Sequence, residues 1–303
     1  MYNFMKKINL VGYEDFFYYF VDLYNKKKSP NKIILSGSKG IGKSTFAKYL
    51  INYFLTEKTT TDYRNFLNTD IILQKFLNQN FFHIDLKEEK KIIEIDQVRN
   101  LINYSQKKSM NNVPRYILID NIEKLNKNAS NALLKILEEP NDNMYFILIH
   151  DSRFKILETI NSRCLNFKIS FSHTKKVEFT NQILGINIYD YLNKNLITNY
   201  SSISDLINIY NFSIINKINL KDISVKNVIK ILIDDKKYKA DNNAHIMLVN
   251  LIENFLYTKF MSSKDIKFYN FYKYFTQKYF FANKYNLDIE TLFLDIRNKA
   301  FSE

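Results

Sequence analysis

The sequence is poor in cysteine, proline and glycine, and each shortage excludes a class of structure. Its 303 residues include one Cys, three Pro and five Gly. A single cysteine excludes a disulfide framework and a cysteine-rich zinc site, and the four histidines show no metal-ligand spacing. Because proline and glycine are so rare, no flexible linker marks a domain boundary. The domain boundaries predicted below therefore rest on other signals.

Long hydrophobic runs are also missing. No apolar run reaches the ~18 residues that a membrane-spanning helix needs. Residues 1–17 contain no apolar stretch followed by a small-residue cleavage site, so they predict no signal peptide. Hydrophobic residues make up 46% and charged residues 25% of the chain, which is typical of a globular protein. We therefore expect a cytoplasmic protein with no membrane association.

The chain is strongly basic. It carries 44 Lys and Arg against 31 Asp and Glu, a formal net charge of +13. Such a balance favours an acidic partner, most simply nucleic acid. The chain is also rich in Asn, Lys, Ile, Tyr and Phe throughout, so compositional bias explains the charge equally well. Charge alone leaves both interpretations open.

The first half of the chain alternates strand-length apolar runs with amphipathic helical segments. Two of these segments lie at 96–106, where Asp96 is the predicted N-cap, and at 128–140. Strands that alternate with helices predict a parallel sheet covered on both faces. The five predicted strands are KIILSG (32–37), FFHIDL (81–86), RYILID (115–120), YFILIH (145–150) and LNFKIS (165–170).

After about residue 170 helical periodicity replaces the strand pattern. Amphipathic helices are predicted at 244–260, 265–285 and 288–301. Their many aromatic residues favour core positions over a binding stripe, because such rings bury large areas at helical spacing. The length of the chain allows two or three domains, and the pattern predicts an α/β domain followed by an all-α part.

A phosphate-binding loop is predicted at 37–45. GSKGIGKST fits the pattern G-x-x-x-x-G-K-[ST], with a strand before it and a helix after it. Glycine lets successive backbone N–H groups point at phosphate oxygens, and the helix dipole adds positive potential. This context favours an ATP and Mg²⁺ site over a chance glycine-rich turn. The predicted nucleotide-binding residues of the loop are Gly37, Ser38, Lys39, Gly40, Ile41, Gly42, Lys43, Ser44 and Thr45.

Lys43 is predicted to reach the β- and γ-phosphates, and the Ser44 hydroxyl to bind Mg²⁺. Asp120 ends an apolar strand and is the natural second ligand for Mg²⁺, with a simple turn residue as the alternative. The next position is Asn121. In P-loop proteins that hydrolyse nucleotide, a Glu that activates water usually follows this Asp.

Two further segments resemble motifs of the bacterial clamp-loader ATPases, which belong to the AAA+ class. They are NASNALLKILEEP (128–140) and TINSRC (159–164), and residues 9–16, 95–109 and 286–296 resemble other parts of the same family. The resemblance implies a P-loop AAA+ domain at 1–169, a small helical lid at 170–213 and an all-α collar at 214–303. It also implies a hetero-oligomeric ring with gamma/tau and delta subunits, which places a sliding clamp on primed DNA.

The resemblance implies roles for three more residues. Arg163 in SRC matches the family's arginine finger, which acts in trans on the nucleotide of a neighbouring subunit. Without the family motif, Arg163 would be interpreted as a surface cation or a salt-bridge partner. The family's sensor position, usually Thr or Ser, falls on His150 or Asp151, so both are predicted to lie near the nucleotide.

Three departures from the family pattern point to weak hydrolysis. Residues 51–67 contain none of the zinc-binding cysteines of many members, so we expect no zinc. Asn121 replaces the expected Glu, and the lid segment 199–212 contains no arginine. We therefore expect a subunit that binds ATP and hydrolyses it poorly. The alternatives are an active motor ATPase of the same machine and a P-loop kinase of another class.

The end of the 128–140 helix raises a separate question. Glu138 and Glu139 place negative charge at the C-terminus of a helix, where the dipole disfavours it. A basic surface on a neighbouring subunit would compensate for this, and screening by solvent is the alternative.

Overall fold

A computed structural model describes residues 11–56, 80–87, 90–106, 113–140, 143–285 and 287–300. The chain divides into two compact units, Met1–Ser172 and His173–Glu303. The first unit ends at Ser172, three residues after residue 169, where the first domain was predicted to end. The predicted border between lid and collar, at 213, lies within the helix Ile203–Asn216. The three-domain division stays a prediction.

The first unit contains a five-stranded parallel sheet. In chain order the strands are β1 (Lys32–Gly37), β2 (Phe81–Ile84), β3 (Arg115–Ile119), β4 (Met144–Asp151) and β5 (Leu165–Lys168). Their order across the sheet is β2-β3-β4-β1-β5. The five predicted strands are confirmed, although β2 and β5 each end two residues before the predicted position.

Helices cover both faces of this sheet, because alternate residues of each strand point to opposite sides. Ile33 and Leu35 belong to one hydrophobic core, and Ile34 belongs to the other. This confirms the predicted α/β class with a parallel sheet. Among its described residues, the α-helices of the first unit are α1 (Glu14–Asn25), α2 (Lys43–Thr56), α3 (Ile95–Gln106), α4 (Lys127–Glu138) and the short α5 (Glu158–Asn161).

One predicted helix cap is wrong. Helix α3 begins at Ile95, so Asp96 lies inside its first turn and not at its N-cap. Its carboxylate accepts a hydrogen bond of 2.9 Å from Arg99 Nη1 on the next turn. The backbone N–H of Glu94 instead bonds the Gln97 side chain, so the local hydrogen bonds start the helix before Asp96.

The described part of the second unit consists of α-helices and short 3₁₀ turns around one hydrophobic core. The helices predicted at 244–260, 265–285 and 288–301 are confirmed. Among the described residues, no helix is both long and apolar enough to span a membrane. The helices are α6 (His173–Leu184), α7 (Ile203–Asn216), α8 (Val225–Asp234), α9 (Asn242–Ser263), α10 (Ile266–Tyr285) and α11 (Glu290–Ala300).

The aromatic residues of the last helices only partly fill the core. Phe275 and Phe293 are fully buried, as the core interpretation predicts. Phe280 and Tyr285 are instead 60% and 59% exposed. Helical periodicity alone did not distinguish the buried aromatic residues from the exposed ones.

Candidate functional site

The predicted phosphate-binding loop joins β1 to α2 and depends on glycine at three positions. Gly40 and Gly42 have φ values of 80° and 94°, a region that side-chain-bearing residues rarely adopt. At Gly37 a Cβ atom would overlap the carbonyl oxygen of Ile169. Because α2 begins at Lys43, the positive end of its dipole lies at the loop. The loop therefore has the backbone form that an anion site requires.

Lys43 is held inside this loop. Its ammonium donates hydrogen bonds of 2.8 Å to the Gly37 carbonyl and 2.7 Å to the Ser38 carbonyl, and the residue is only 5% exposed. Burial lowers the pKa of Lys43, while nearby carboxylates, first Asp151 and then Asp120, oppose that change. The ammonium therefore sits between the loop and a group of acids, where a phosphate–Mg²⁺ complex would be bound.

Asp120 directly follows β3 and is buried. Burial raises the pKa of its carboxyl, and a hydrogen bond from Ser44 opposes that change. The two residues predicted to bind Mg²⁺ are thus in direct contact. A carboxylate beside a hydroxyl suits Mg²⁺, which prefers oxygen ligands, so these two residues fit the ion.

Asn121 takes part in this site as a hydrogen-bond donor. It adopts a left-handed conformation with φ of 54°, which Asn tolerates better than most residues. Its backbone N–H donates to Asp120 Oδ1 at 3.0 Å, and its Nδ2 donates to Asp85 Oδ1 at 2.7 Å. The Asn121 amide therefore orients the carboxylate of Asp85. In P-loop proteins that hydrolyse nucleotide, a Glu occupies the position of Asn121.

His150 lies at the end of β4, and both of its ring nitrogens already have partners. Nδ1 is 2.9 Å from the Ser36 hydroxyl, and Nε2 is 2.9 Å from the Phe154 carbonyl. Since a carbonyl can only accept, Nε2 carries a proton and donates to Phe154. This ring stabilises the junction of β1 and β4 in the described structure.

Asp151, the other sensor candidate, pairs with Gly37 across the sheet. Arg153 donates to its carboxylate from Nη2 at 2.7 Å and from Nε at 3.1 Å. Burial alone would raise the pKa of Asp151, but the hydrogen bonds from Arg153 bring it below its usual value. Asp151 therefore stays charged close to Lys43.

Arg163 follows α5 and is bound within its own chain. Nη2 donates to Glu138 Oε1 at 2.7 Å, and Nη1 donates to the Thr159 carbonyl at 2.8 Å. Its side chain keeps about a third of its surface exposed. Glu138, at the unfavourable end of α4, is thus compensated by a cation of the same chain, an arrangement that neither sequence-based alternative included. Lys32 also caps this end, with Nζ 3.0 Å from the Leu137 carbonyl.

Sequence reasoning missed three residues beside this site. Glu123, in a 3₁₀ turn after β3, accepts the backbone N–H of Asp151 at 3.2 Å. His83 and Asp85, at the end of β2, lie next to Asp120. Asp85 was detectable in principle, because it follows an apolar strand as Asp120 does, and neighbouring parallel strands bring such residues to one edge.

A buried tyrosine at the N-cap of α1 anchors the loop. The Tyr13 hydroxyl donates to the Ile41 carbonyl at 3.0 Å, and its ring stacks on Phe46 with centroids 4.8 Å apart. Burial raises the pKa of this phenol far above its usual value, so it stays a donor at every physiological pH. Tyr13, which belongs to the segment that resembles the family's opening motif, therefore holds the backbone of the phosphate-binding loop.

We predict that Tyr13→Phe destabilises the chain by about 1 kcal/mol, since it removes one buried hydrogen bond and keeps the stacking. Urea unfolding measures the change. Tyr19→Phe deletes a hydroxyl from a residue that is 50% exposed and should cost less than about 0.5 kcal/mol. Equal effects of the two substitutions would contradict the anchoring role of Tyr13.

The parallel sheet, the glycine-rich loop after β1 and the aspartate after β3 define the P-loop class of α/β folds. Within that class, residues 12–173 match the family described as "DNA polymerase III, delta subunit", and the chain belongs to this family. The resemblance to the bacterial clamp-loader proteins is thereby confirmed.

Relatives carry the names of two different DNA polymerase III subunits. The gamma subunit of Buchnera aphidicola subsp. Schizaphis graminum is 31% identical over 77% of this chain and 61% of its own length. The delta-prime subunit of the same organism is 27% identical over 49% of this chain and 45% of its own length. The chain thus spans less than two thirds of either curated relative.

A solved structure is also similar to this chain. The DNA polymerase III gamma subunit-related protein of Thermotoga maritima shares 15% identity, with a TM-score of 0.47. The alignment covers 83% of this chain and 75% of that protein. The score is too low to bear on function.

Proposed function

We propose that the chain is a delta-prime-like subunit of the DNA polymerase III clamp loader. In this role it binds ATP–Mg²⁺ at the loop 37–45 and hydrolyses it poorly. It joins gamma/tau and delta subunits in a ring that places the sliding clamp on primed DNA, in the cytoplasm. Its nucleotide-binding domain spans 1–169, its lid 170–213 and its collar 214–303.

One observation supports the proposal that the site binds ATP but hydrolyses it poorly. The loop keeps the glycines and the buried Lys43 that a phosphate needs, while the Asn121 amide donates to Asp85. An amide cannot take a proton from an attacking water as a carboxylate can. The site is therefore equipped to hold nucleotide and lacks the usual base at this position.

Arg163 supports a role toward a neighbouring subunit. Its hydrogen bonds to Glu138 and to the Thr159 carbonyl hold the guanidinium on a partly exposed surface. A guanidinium held in a fixed orientation is suited to a second subunit's γ-phosphate, where it would neutralise the charge that develops during phosphoryl transfer.

An active motor ATPase of the same complex is the second candidate. The gamma relative matches 77% of this chain and the delta-prime relative 49%, which favours the motor. Asn121 and the absence of arginine from 199–212 count against it. A P-loop kinase of another class does not fit the family match over residues 12–173.

We predict that the isolated chain turns over ATP far more slowly than the ~1 s⁻¹ at which many enzymes operate. Asn121→Glu should not restore hydrolysis, because the lid arginine is absent and the new carboxylate would lie beside Asp85. A steady-state phosphate-release assay measures both, with Lys43→Ala as the background control. Turnover near 1 s⁻¹ in the unmodified chain, abolished by Lys43→Ala, would instead support the motor.

Co-purification tests membership of the complex directly. We expect the chain to elute with gamma/tau and delta subunits as one hetero-oligomer on size exclusion. Separate elution of the chain and the partner subunits, at concentrations where those subunits assemble, would contradict the proposed function.

A further inference from the structure

Three potential metal ligands converge at the ends of β2 and β3. One ligand atom each from His83, Asp85 and Asp120 lies within 4.8 Å of the other two. Strands β2 and β3 are parallel neighbours, with Ile84 opposite Ile119, so the residues that end them meet at one edge of the sheet. Two ligand atoms bound to one cation at about 2.0–2.2 Å lie at most about 4.4 Å apart. The three ligand atoms would therefore have to move only slightly closer together to bind the same ion.

His83 supplies the observation that points to a ligand. Its Nε2 atom is buried, and no described residue forms a hydrogen bond with it. A buried ring nitrogen without a partner costs free energy, and a bound ion would remove that cost. Burial, and next the charge of Lys48, lower the pKa of His83. Imidazole binds metals through a nitrogen that carries no proton.

The two carboxylates are already oriented by hydrogen-bond donors. Asp85 Oδ1 accepts from Asn121 Nδ2 and from the Leu86 N–H, both at 2.7 Å. Asp120 Oδ1 accepts from the Asn121 N–H at 3.0 Å. Outer hydrogen bonds of this kind hold metal ligands in place and keep them charged. Asn121 thus serves both carboxylates, which a Glu at the same position could not do.

The local charge also favours a dication. The carboxylates of Asp85 and Asp120 lie within 4.8 Å of each other, so their negative charges repel. Lys48 lies close enough to act on His83 and opposes a cation there. A divalent ion between the two carboxylates would relieve their repulsion, and a ring nitrogen of His83 lies within reach of the same ion.

We propose that His83, Asp85 and Asp120 form a binding site for a first-row transition-metal dication such as Mn²⁺. One imidazole with two carboxylates suits Mn²⁺, Fe²⁺, Co²⁺ or Zn²⁺ better than Mg²⁺, which prefers oxygen ligands alone. The site shares Asp120 with the proposed Mg²⁺ site but needs no nucleotide. It therefore extends beyond the proposed function and does not depend on it.

Electron spin-echo spectroscopy of Mn²⁺ bound to the nucleotide-free full-length chain tests this site. We expect one Mn²⁺ per chain with a ¹⁴N coupling from imidazole. His83→Gln should remove the coupling and weaken Mn²⁺ binding at least ~10-fold. His150→Gln, which removes the other imidazole near the loop, should keep the coupling.

Two further variants separate ligation from loss of structure. Asp85→Asn should weaken Mn²⁺ binding while any bound ion keeps its ¹⁴N coupling. Asn121→Ala should weaken it ~10-fold, because it removes the side-chain hydrogen bond from Nδ2 to Asp85 while the backbone N–H still bonds Asp120. Circular dichroism verifies that each variant is folded.

Absence of Mn²⁺ binding, Mn²⁺ without ¹⁴N coupling, or a coupling that survives His83→Gln would overturn the proposal. Calorimetry with ATP and Mg²⁺ on the same His83→Gln protein tests nucleotide binding separately. A failed metal site and a failed nucleotide site are therefore distinguishable.

Discussion

Replacing Arg163 with Ala should slow ATP hydrolysis at the neighbouring active site by ~10³–10⁵-fold in the reconstituted clamp-loader complex. The guanidinium would no longer neutralise the charge that develops on the partner's γ-phosphate. A ring with several active sites dilutes the effect in the bulk rate, so single-turnover hydrolysis in the presence of clamp and primed DNA is the appropriate measurement. ATP binding to this chain itself should not change, because the target phosphate belongs to another subunit.

Matched variants make this experiment specific. Arg163→Lys should fail as well, since a flexible ammonium does not reproduce the planar fork that now bonds Glu138 and the Thr159 carbonyl. Arg99→Ala removes an exposed arginine from α3 and should leave the rate unchanged. Assembly should survive in every variant, because Arg163 and Arg99 lie outside the proposed collar at 214–303.

The elution volume of the mutant complex decides between two interpretations of Arg163. A wild-type rate in an intact Arg163→Ala complex would refute the arginine finger. A complex that falls apart would show that Arg163 acts as an interface salt-bridge residue, as its sequence position without the family motif suggests.

Replacing Lys43 with Ala should abolish measurable ATP–Mg²⁺ binding to the isolated chain. A charged donor to phosphate is lost, and a loss of affinity of about 100-fold or more follows if each lost charged hydrogen bond contributes ~1.5–3 kcal/mol. Isothermal titration calorimetry measures the affinity. Lys26→Ala, which removes an exposed lysine paired with Asp22, should bind as the unmodified chain does.

The buried position of Lys43 requires a folding control. Its ammonium bonds the Gly37 and Ser38 carbonyls, so the substitution also costs some stability. Circular dichroism and thermal unfolding should show a folded protein with a modestly lowered melting temperature. Equal ATP affinity in both proteins, or no binding by either, would contradict nucleotide binding at this loop.

Local sequence patterns were sufficient for the sheet and the loop. The strands are short apolar runs, and the loop concentrates three of the five glycines within six residues. Both signals depend on neighbouring residues only. The placement of Asp120 beside Ser44 also followed, because a strand-end residue of a parallel sheet faces the same edge as the loop.

Contacts between distant segments were not predictable in the same way. Asn121 and Asp85 are 36 residues apart, and Arg163 and Glu138 are 25 apart. Each pair depends on which strands are neighbours and on how a helix end lies against the following turn. From the sequence, Asn121 only predicts that a catalytic base is missing, and the fold is needed to show that its amide bonds the Asp85 carboxylate.

The most direct test compares Lys43→Ala and Arg163→Ala in otherwise identical reconstituted complexes with gamma/tau and delta. The quantity measured is ATP hydrolysis stimulated by clamp and primed DNA. We predict that Lys43→Ala keeps most of the activity, because this chain's own site contributes little, and that Arg163→Ala loses the activity of the neighbouring site. The reverse pattern, with Lys43→Ala inactive and Arg163→Ala normal, would show that the chain is a motor and contradict its role as a partner to another subunit's ATP.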